Sequence, residues 1–167
     1  MAKIAFLVGN LFQDEELIYP YYRLVEAGHE VVVATDDKQE VQGKAGHKVA
    51  GEISFSELEA NDFDAAYVPG GFSPDYVRRD KTVLQFIRDL DQAKKPVGFF
   101  CHGPWVAVSA GILKKRKATS VGAIKDDLIN AGAKWVDEEV VVDGNLITSR
   151  KPSDLPAFMR EFLKLLQ

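Results

Sequence analysis

The chain holds one cysteine, Cys101, in the run Phe99-Phe100-Cys101-His102-Gly103-Pro104. A thiol followed at once by an imidazole and a glycine has the makings of a nucleophile on a tight turn. A cysteine just before a helix lies near unpaired N–H groups and the positive end of the helix dipole, and both favour thiolate over thiol. Gly103 allows the backbone to turn sharply there, as a nucleophile elbow requires. Gly70-Gly71 could supply an N–H to a developing oxyanion, together with the amide of His102. Glu16 adds a carboxyl group, which near a thiolate either repels it or stays protonated and donates a hydrogen bond. Each residue also has a plainer reading: a small buried hydrophobe for Cys101, a surface histidine for His102, a solvated helix position for Glu16. His29 and His47 show no ligand spacing with each other or with Cys101, so the pattern implies neither a metal site nor a cofactor.

These residues must be positioned by a chain of 167 residues, a length that suits one domain over 1–167 with a full hydrophobic core. Composition is 46% hydrophobic and 28% charged, with a net charge of -4. That balance argues against nucleic acid or an anionic membrane surface as partner. With one cysteine no intramolecular disulfide can form, and a reducing, cytoplasmic setting is expected. The N-terminal apolar run is too short for a signal peptide or a membrane span.

The run from Ile4 to Val8 reads as a buried parallel strand, and Glu15 to Ala27 as a helix stopped by Gly28. Glu30 to Ala34 is a second strand, so the chain opens β-α-β with short connections. A hairpin or irregular excursion is expected over 42–51. Further strands are expected at Phe63 to Val68 and Pro96 to Phe100, with a helical stretch from Asp75 to Ala93, broken near Asp80, between them. Helices follow at Gly103 to Leu113 and Ile124 to Ala131. A hairpin at 140–148 would turn on Asp143-Gly144. A last helix spans Asp154 to Leu166, with Ser153 as its N-cap. The basic run Lys114-Lys115-Arg116-Lys117 reads as a solvated helix end. The whole is an α/β chain with a mostly parallel sheet and a small antiparallel hairpin.

Ligands of such sheets bind beyond the carboxyl ends of the strands, near a switch point. Three predicted strands end in suggestive residues: the first leads to Gly9-Asn10 and then Glu15-Glu16, the third to Gly70-Gly71, the fourth to Cys101-His102-Gly103. Parallel strands would gather all three on one edge.

With these residues set out, the chain resembles the ThiJ/PfpI family, of the intracellular protease I and protein deglycase type, within the class I glutamine amidotransferase-like superfamily. The resemblance rests on Glu16-Leu17-Ile18-Tyr19-Pro20, Gly28-His29-Glu30-Val31, Phe63-Asp64-Ala65, Pro69-Gly70-Gly71, Cys101-His102-Gly103-Pro104, Ile124-Lys125-Asp126-Asp127, Asn130-Ala131-Gly132-Ala133 and Thr148-Ser149-Arg150 with Pro152, Asp154 and Leu155. It implies a flavodoxin-like three-layer α/β/α sandwich. It implies Cys101 as nucleophile, Glu16 as the protonated acid on the thiol, and Gly71 on the oxyanion side. His102 would be oriented by Asp75 of a neighbouring subunit, so homodimers, or hexamers built as trimers of dimers, are expected. Where the family pattern has a small residue and a glutamine, this chain has Phe99 and Trp105. It also lacks the acid that some relatives carry at Gln13 and the tyrosine they carry near Val121. These departures imply a more apolar and crowded pocket lined by Phe99 and Trp105.

Three activities follow from one activated thiol. The first is cofactor-independent conversion of reactive carbonyls such as methylglyoxal, glyoxal or glycated amines. The second is a cysteine peptidase or amidase acting on short peptides. The third is a redox-responsive stress protein or chaperone in which Cys101 oxidises.

Overall fold

The structure is a computed structural model describing residues 1–167. In chain order its elements are β1 (Lys3–Leu7), α1 (Asp14–Glu26), β2 (Glu30–Thr35), the short strands β3 (Val41–Gln42), β4 (Lys48–Val49) and β5 (Ile53–Ser54), then β6 (Ala65–Val68). They continue with α2 (Ser73–Val77), α3 (Lys81–Gln92), β7 (Val97–Phe100), α4 (Pro104–Ala110), β8 (Lys117–Ala118), α5 (Lys125–Asn130), β9 (Lys134–Trp135), β10 (Val140–Asp143), β11 (Leu146–Ser149) and α6 (Leu155–Leu165).

Seven strands form the central sheet in the order β10-β11-β7-β6-β1-β2-β5. Every neighbouring pair is parallel except the β10–β11 hairpin. The chain leaves β1 for β2 on one side and returns to β6 on the other, so the switch point lies between β1 and β6. Alternation along each strand sends side chains to two cores. Ala5, Leu7, Ala66, Val68, Val97 and Phe99 face α3, α4 and α5, in one cluster with Phe86, Val106 and Leu128. Ile4, Phe6, Val8, Ala65, Tyr67 and Phe100 face α1 and α6, in a second cluster with Leu17, Leu24, Phe158 and Phe162. Covering both faces is what a parallel sheet demands, and the result is the expected flavodoxin-like α/β/α sandwich with its small hairpin. No helix is long and apolar enough to cross a membrane.

The expected break near Asp80 is real: its carboxylate caps α3 by accepting from the N–H groups of Thr82 and Val83 at 2.8 and 3.0 Å. Three local expectations are corrected. The hairpin turns on Gly144-Asn145, because Asp143 still pairs with Leu146 and Gly144 takes the left-handed φ of 61°. The N-cap of α6 is Asp154, and Ser153 sits in the preceding 3-10 turn. The basic run is not a helix end, since α4 stops at Ala110 with Gly111 at φ 75°. Within that run Arg116 is drawn inward, pairing with Asp91 at 2.6 Å and donating to Asp143 O and Asn145 Oδ1.

Candidate active site

Strand β7 ends at Phe100, and Cys101 follows at φ 58°, a left-handed conformation that a non-glycine residue rarely adopts. The strain is held from several sides. Cys101 N donates to Ser149 O at 3.1 Å, and Cys101 O accepts from Val121 N at 3.1 Å. A Cβ on Gly103 would come within 2.6 Å of Val68 O and 2.7 Å of Phe100 N, so only glycine closes the elbow.

The strand ends gather as the sequence predicts. From α1, Glu16 is fully buried, and its Oε2 accepts from Gly70 N at 2.7 Å. Its Oε1 is buried with no hydrogen-bond partner. Burial pushes the Glu16 carboxyl from its ordinary 4.5 up to about 7, against the Gly70 N–H and a hydrogen bond with Cys101, which pull it down. The sequence predicts a lowered thiol for Cys101, and its surroundings shift it the other way. Burial pushes the thiol up, and so do the charge and hydrogen bonding of Glu16, while the N–H groups of His102 and Gly71 pull the other way. Each group thus resists ionisation while the other is charged, and the two share one negative charge near neutrality.

The amides divide their work differently from the sequence expectation. Gly70 N–H is committed to Glu16, and Gly103 N–H to Phe100 O at 2.6 Å. Gly71 and His102 are the two whose N–H groups face the sulfur. Gly71 is a glycine for a backbone reason: at φ 75° a Cβ would come within 2.5 Å of Gln13 N and Leu11 O.

His102 Nδ1 lies 3.5 Å from Cys101 Sγ. Burial, and then the charge of Lys44, hold the imidazole below its ordinary value, so it is neutral at neutral pH. Its ring meets Trp105 edge-on with centroids 5.3 Å apart. Trp105 is fixed in turn by an indole N–H to Asp127 at 2.8 Å and by the Arg78 guanidinium 5.2 Å over its ring. Phe99 is corrected: it is fully buried in the core under α3 and α4, on the sheet face away from Glu16, and cannot line an opening. Asp75 stands on α2 and, within the subunit, pairs with Arg79 rather than with His102.

Two residues escaped the sequence reading. Lys44 acts by charge on both Glu16 and His102, and its ammonium donates to Gln13 Oε1 at 3.1 Å. It is held there by Asp14, a buried carboxylate at the start of α1 that accepts from the N–H groups of Ala45 and His47 at 2.8 and 2.9 Å. Neither carried a signal: Lys44 lies in a polar loop, and Asp14 is one of three acids in a row.

Residues 2–165 match the DJ-1/PfpI family. The chain is 50% identical over 165 residues to a Pyrococcus furiosus protein named Deglycase PfpI, covering 99% of both. It is 46% identical to the Escherichia coli Protein/nucleic acid deglycase 2, covering 98% of this chain and 97% of the relative. Among solved structures, a two-domain protein from Anabaena variabilis with DJ-1/ThiJ/PfpI-like and ferritin-like domains superposes with a TM-score of 0.97 at 39% identity. The match takes in 99% of this chain and 48% of that one, so the chain spans about half the length of the two-domain protein.

Proposed function

The chain belongs to the DJ-1/PfpI family, and from that membership and the setting of Cys101 we propose that it is a cofactor-independent, cysteine-dependent enzyme acting on reactive carbonyls. Its substrates would be methylglyoxal, glyoxal and their early adducts with amines. The observation that carries the reading is the coupling of Cys101 to the buried Glu16, whose carboxyl burial pushes up to about 7.

Moving the proton from sulfur to Glu16 gives a thiolate facing a carboxylic acid. The thiolate attacks the aldehyde carbon, an S–C bond forms, the carbonyl pair moves to oxygen, and that oxygen takes the proton to leave a hemithioacetal. The N–H groups of Gly71 and His102 are at hand for the charge on oxygen. Neutral His102 then takes the hydrogen from the carbon bearing sulfur, and a proton returns at the neighbouring carbon. The product is a thioester of a 2-hydroxy acid. Water breaks its S–C bond, restoring the thiol and releasing lactate when the substrate is methylglyoxal. The sum is the addition of one water, with no external oxidant. With an amine adduct, the amine leaves as sulfur bonds to carbon, and the same hemithioacetal follows.

A peptidase of the thiolate–imidazolium type asks for a lowered thiol and a raised imidazole. Cys101 and His102 are shifted the opposite way, which supports the carbonyl reading over that one. We read residues 1–167 as one catalytic domain working in the cytoplasm as a homodimer or a hexamer of dimers. In that assembly Asp75 of one copy orients His102 of the next. The half-exposed Asp75 carboxylate on α2 supports this role.

The test is lactate formation from methylglyoxal by the wild type and by Cys101→Ala. Formation that disappears in the variant is expected; equal rates from both would overturn the reading.

A further inference from the structure

Helix α1 carries Pro20 inside it. A proline has no N–H, so the carbonyl four residues earlier loses its helical donor. That carbonyl belongs to Glu16. It is supplied from across the core instead: the phenol of Tyr67, on β6, donates to Glu16 O at 2.6 Å. A buried carbonyl left bare is costly, so a substitute donor has a physical purpose. The ring is held in place, fully buried with its centroid 4.8 Å from that of Phe6 and 5.6 Å from that of Phe158. Burial, and then the charges of Glu16 and Cys101, push the phenol well above its ordinary value, so it remains a donor across the working range. Ala65, Ala66 and Val68, the rest of β6, have no polar side-chain atom that could take its place.

We propose that Tyr67 is a positioning residue for Glu16: its hydroxyl replaces the N–H that Pro20 withholds, fastens the first turns of α1 to β6, and so sets where the carboxyl meets Gly70 and Cys101. This deepens the reading of Glu16 as the acid of the site and rests on it.

Tyr67→Phe removes the hydroxyl alone, and Pro20→Ala returns an N–H to the helix. The readout is the pH midpoint for alkylation of Cys101 by iodoacetamide, with kcat and KM for methylglyoxal beside it. The bonds from Gly70 and Cys101 both hold the Glu16 carboxyl down, so loosening them moves the midpoint above that of the wild type. Tyr67→Phe is expected to raise the midpoint and lower kcat by about tenfold or more, with KM unchanged. The double variant is expected to return both to wild-type values, and Pro20→Ala alone to leave both where they were. An unchanged midpoint in Tyr67→Phe overturns the proposal. So does a raised midpoint that Pro20→Ala fails to bring back, because ring packing would then be the cause. Should Tyr67→Phe not fold, the double variant decides: folded with the wild-type midpoint it supports the proposal, and unfolded or shifted it overturns it. The alkylation profile needs no substrate, so a wild type that makes no lactate would defeat the proposed reaction and leave this test standing.

Discussion

Gly70 and Glu16 are fitted to each other as donor and acceptor with no room between them. The Gly70 N–H reaches Glu16 Oε2 at 2.7 Å, and a Cβ at position 70 would fall 2.5 Å from that same oxygen and 2.7 Å from the Cys101 Cβ. The absence of a side chain at 70 is therefore what lets a helix carboxyl approach the thiol.

Gly70→Ala should push Glu16 off its amide and crowd Cys101. Overpacking a filled site costs about 1–3 kcal/mol, and alkylation of Cys101 at neutral pH should slow by about tenfold or more, since the acid no longer meets the thiol. Thermal unfolding and iodoacetamide kinetics check the two effects separately. Unaltered alkylation would mean that the Gly70–Glu16 contact does not govern the thiol.

The shared proton predicts a pH profile. Below about 7 both groups are protonated; above it the pair carries one charge, which reaches sulfur only as the thiol proton passes to Glu16. Alkylation of Cys101 should rise through a midpoint near 7, and Glu16→Gln should abolish that step. A step near 7 surviving in Glu16→Gln would assign it elsewhere.

Stability should respond too. Folded Glu16 keeps its proton to about 7, whereas its ordinary value is 4.5. A raised carboxyl contributes stability that is fully present below 4.5 and lost as pH rises through 7. The loss is about 3 kcal/mol. The lowered imidazole of His102 works in the opposite sense, its contribution being lost as pH falls. Urea unfolding of wild type and Glu16→Gln across this window isolates the Glu16 part: the variant should gain on the wild type as pH rises.

Asp75 and Cys101 can be tested for service in different copies. Asp75→Asn and Cys101→Ala should each be weak or inactive alone. Mixed one to one and allowed to exchange subunits as dimers, they should rebuild about a quarter of the sites, because only mixed pairs combine an intact Cys101 with an intact Asp75 from the other copy. Lactate assays before and after mixing, beside a mass measurement of the assembly, give the result. No recovery despite proven exchange would confine both residues to one subunit.

Arg116 supplies a control remote from the thiol. Its guanidinium pairs with Asp91 at 2.6 Å, with both side chains less than one-fifth exposed, and ties α3 to the β10–β11 hairpin. Arg116→Met would leave the Asp91 charge with only the Asn145 amide N–H as donor and cost about 3 kcal/mol, on the order of 10 °C in unfolding temperature. Lactate formation below that temperature should be unchanged.

The sequence by itself determined the layers and the edge on which the chemistry lies. Apolar runs such as Ile4 to Val8 and Phe63 to Val68, separated by helical spacing, specify buried parallel strands, because period and burial are local properties of the chain. Parallel strands bring their carboxyl ends together, so the strand pattern alone assigns Cys101, Gly71 and Glu16 to one place. The tertiary structure decided what those residues are to one another. The direction in which the Cys101 thiol is shifted, the partner of Gly70 N–H, the burial of Phe99 away from the site and the reach of Lys44 all depend on contacts between residues distant in the chain. Burial and charge act through space, and a sequence records only neighbours along the chain. Cys101 thus announces itself as a candidate nucleophile through its turn, but the proton that governs it belongs to a pair, and that pair exists only where α1, β6 and β7 meet.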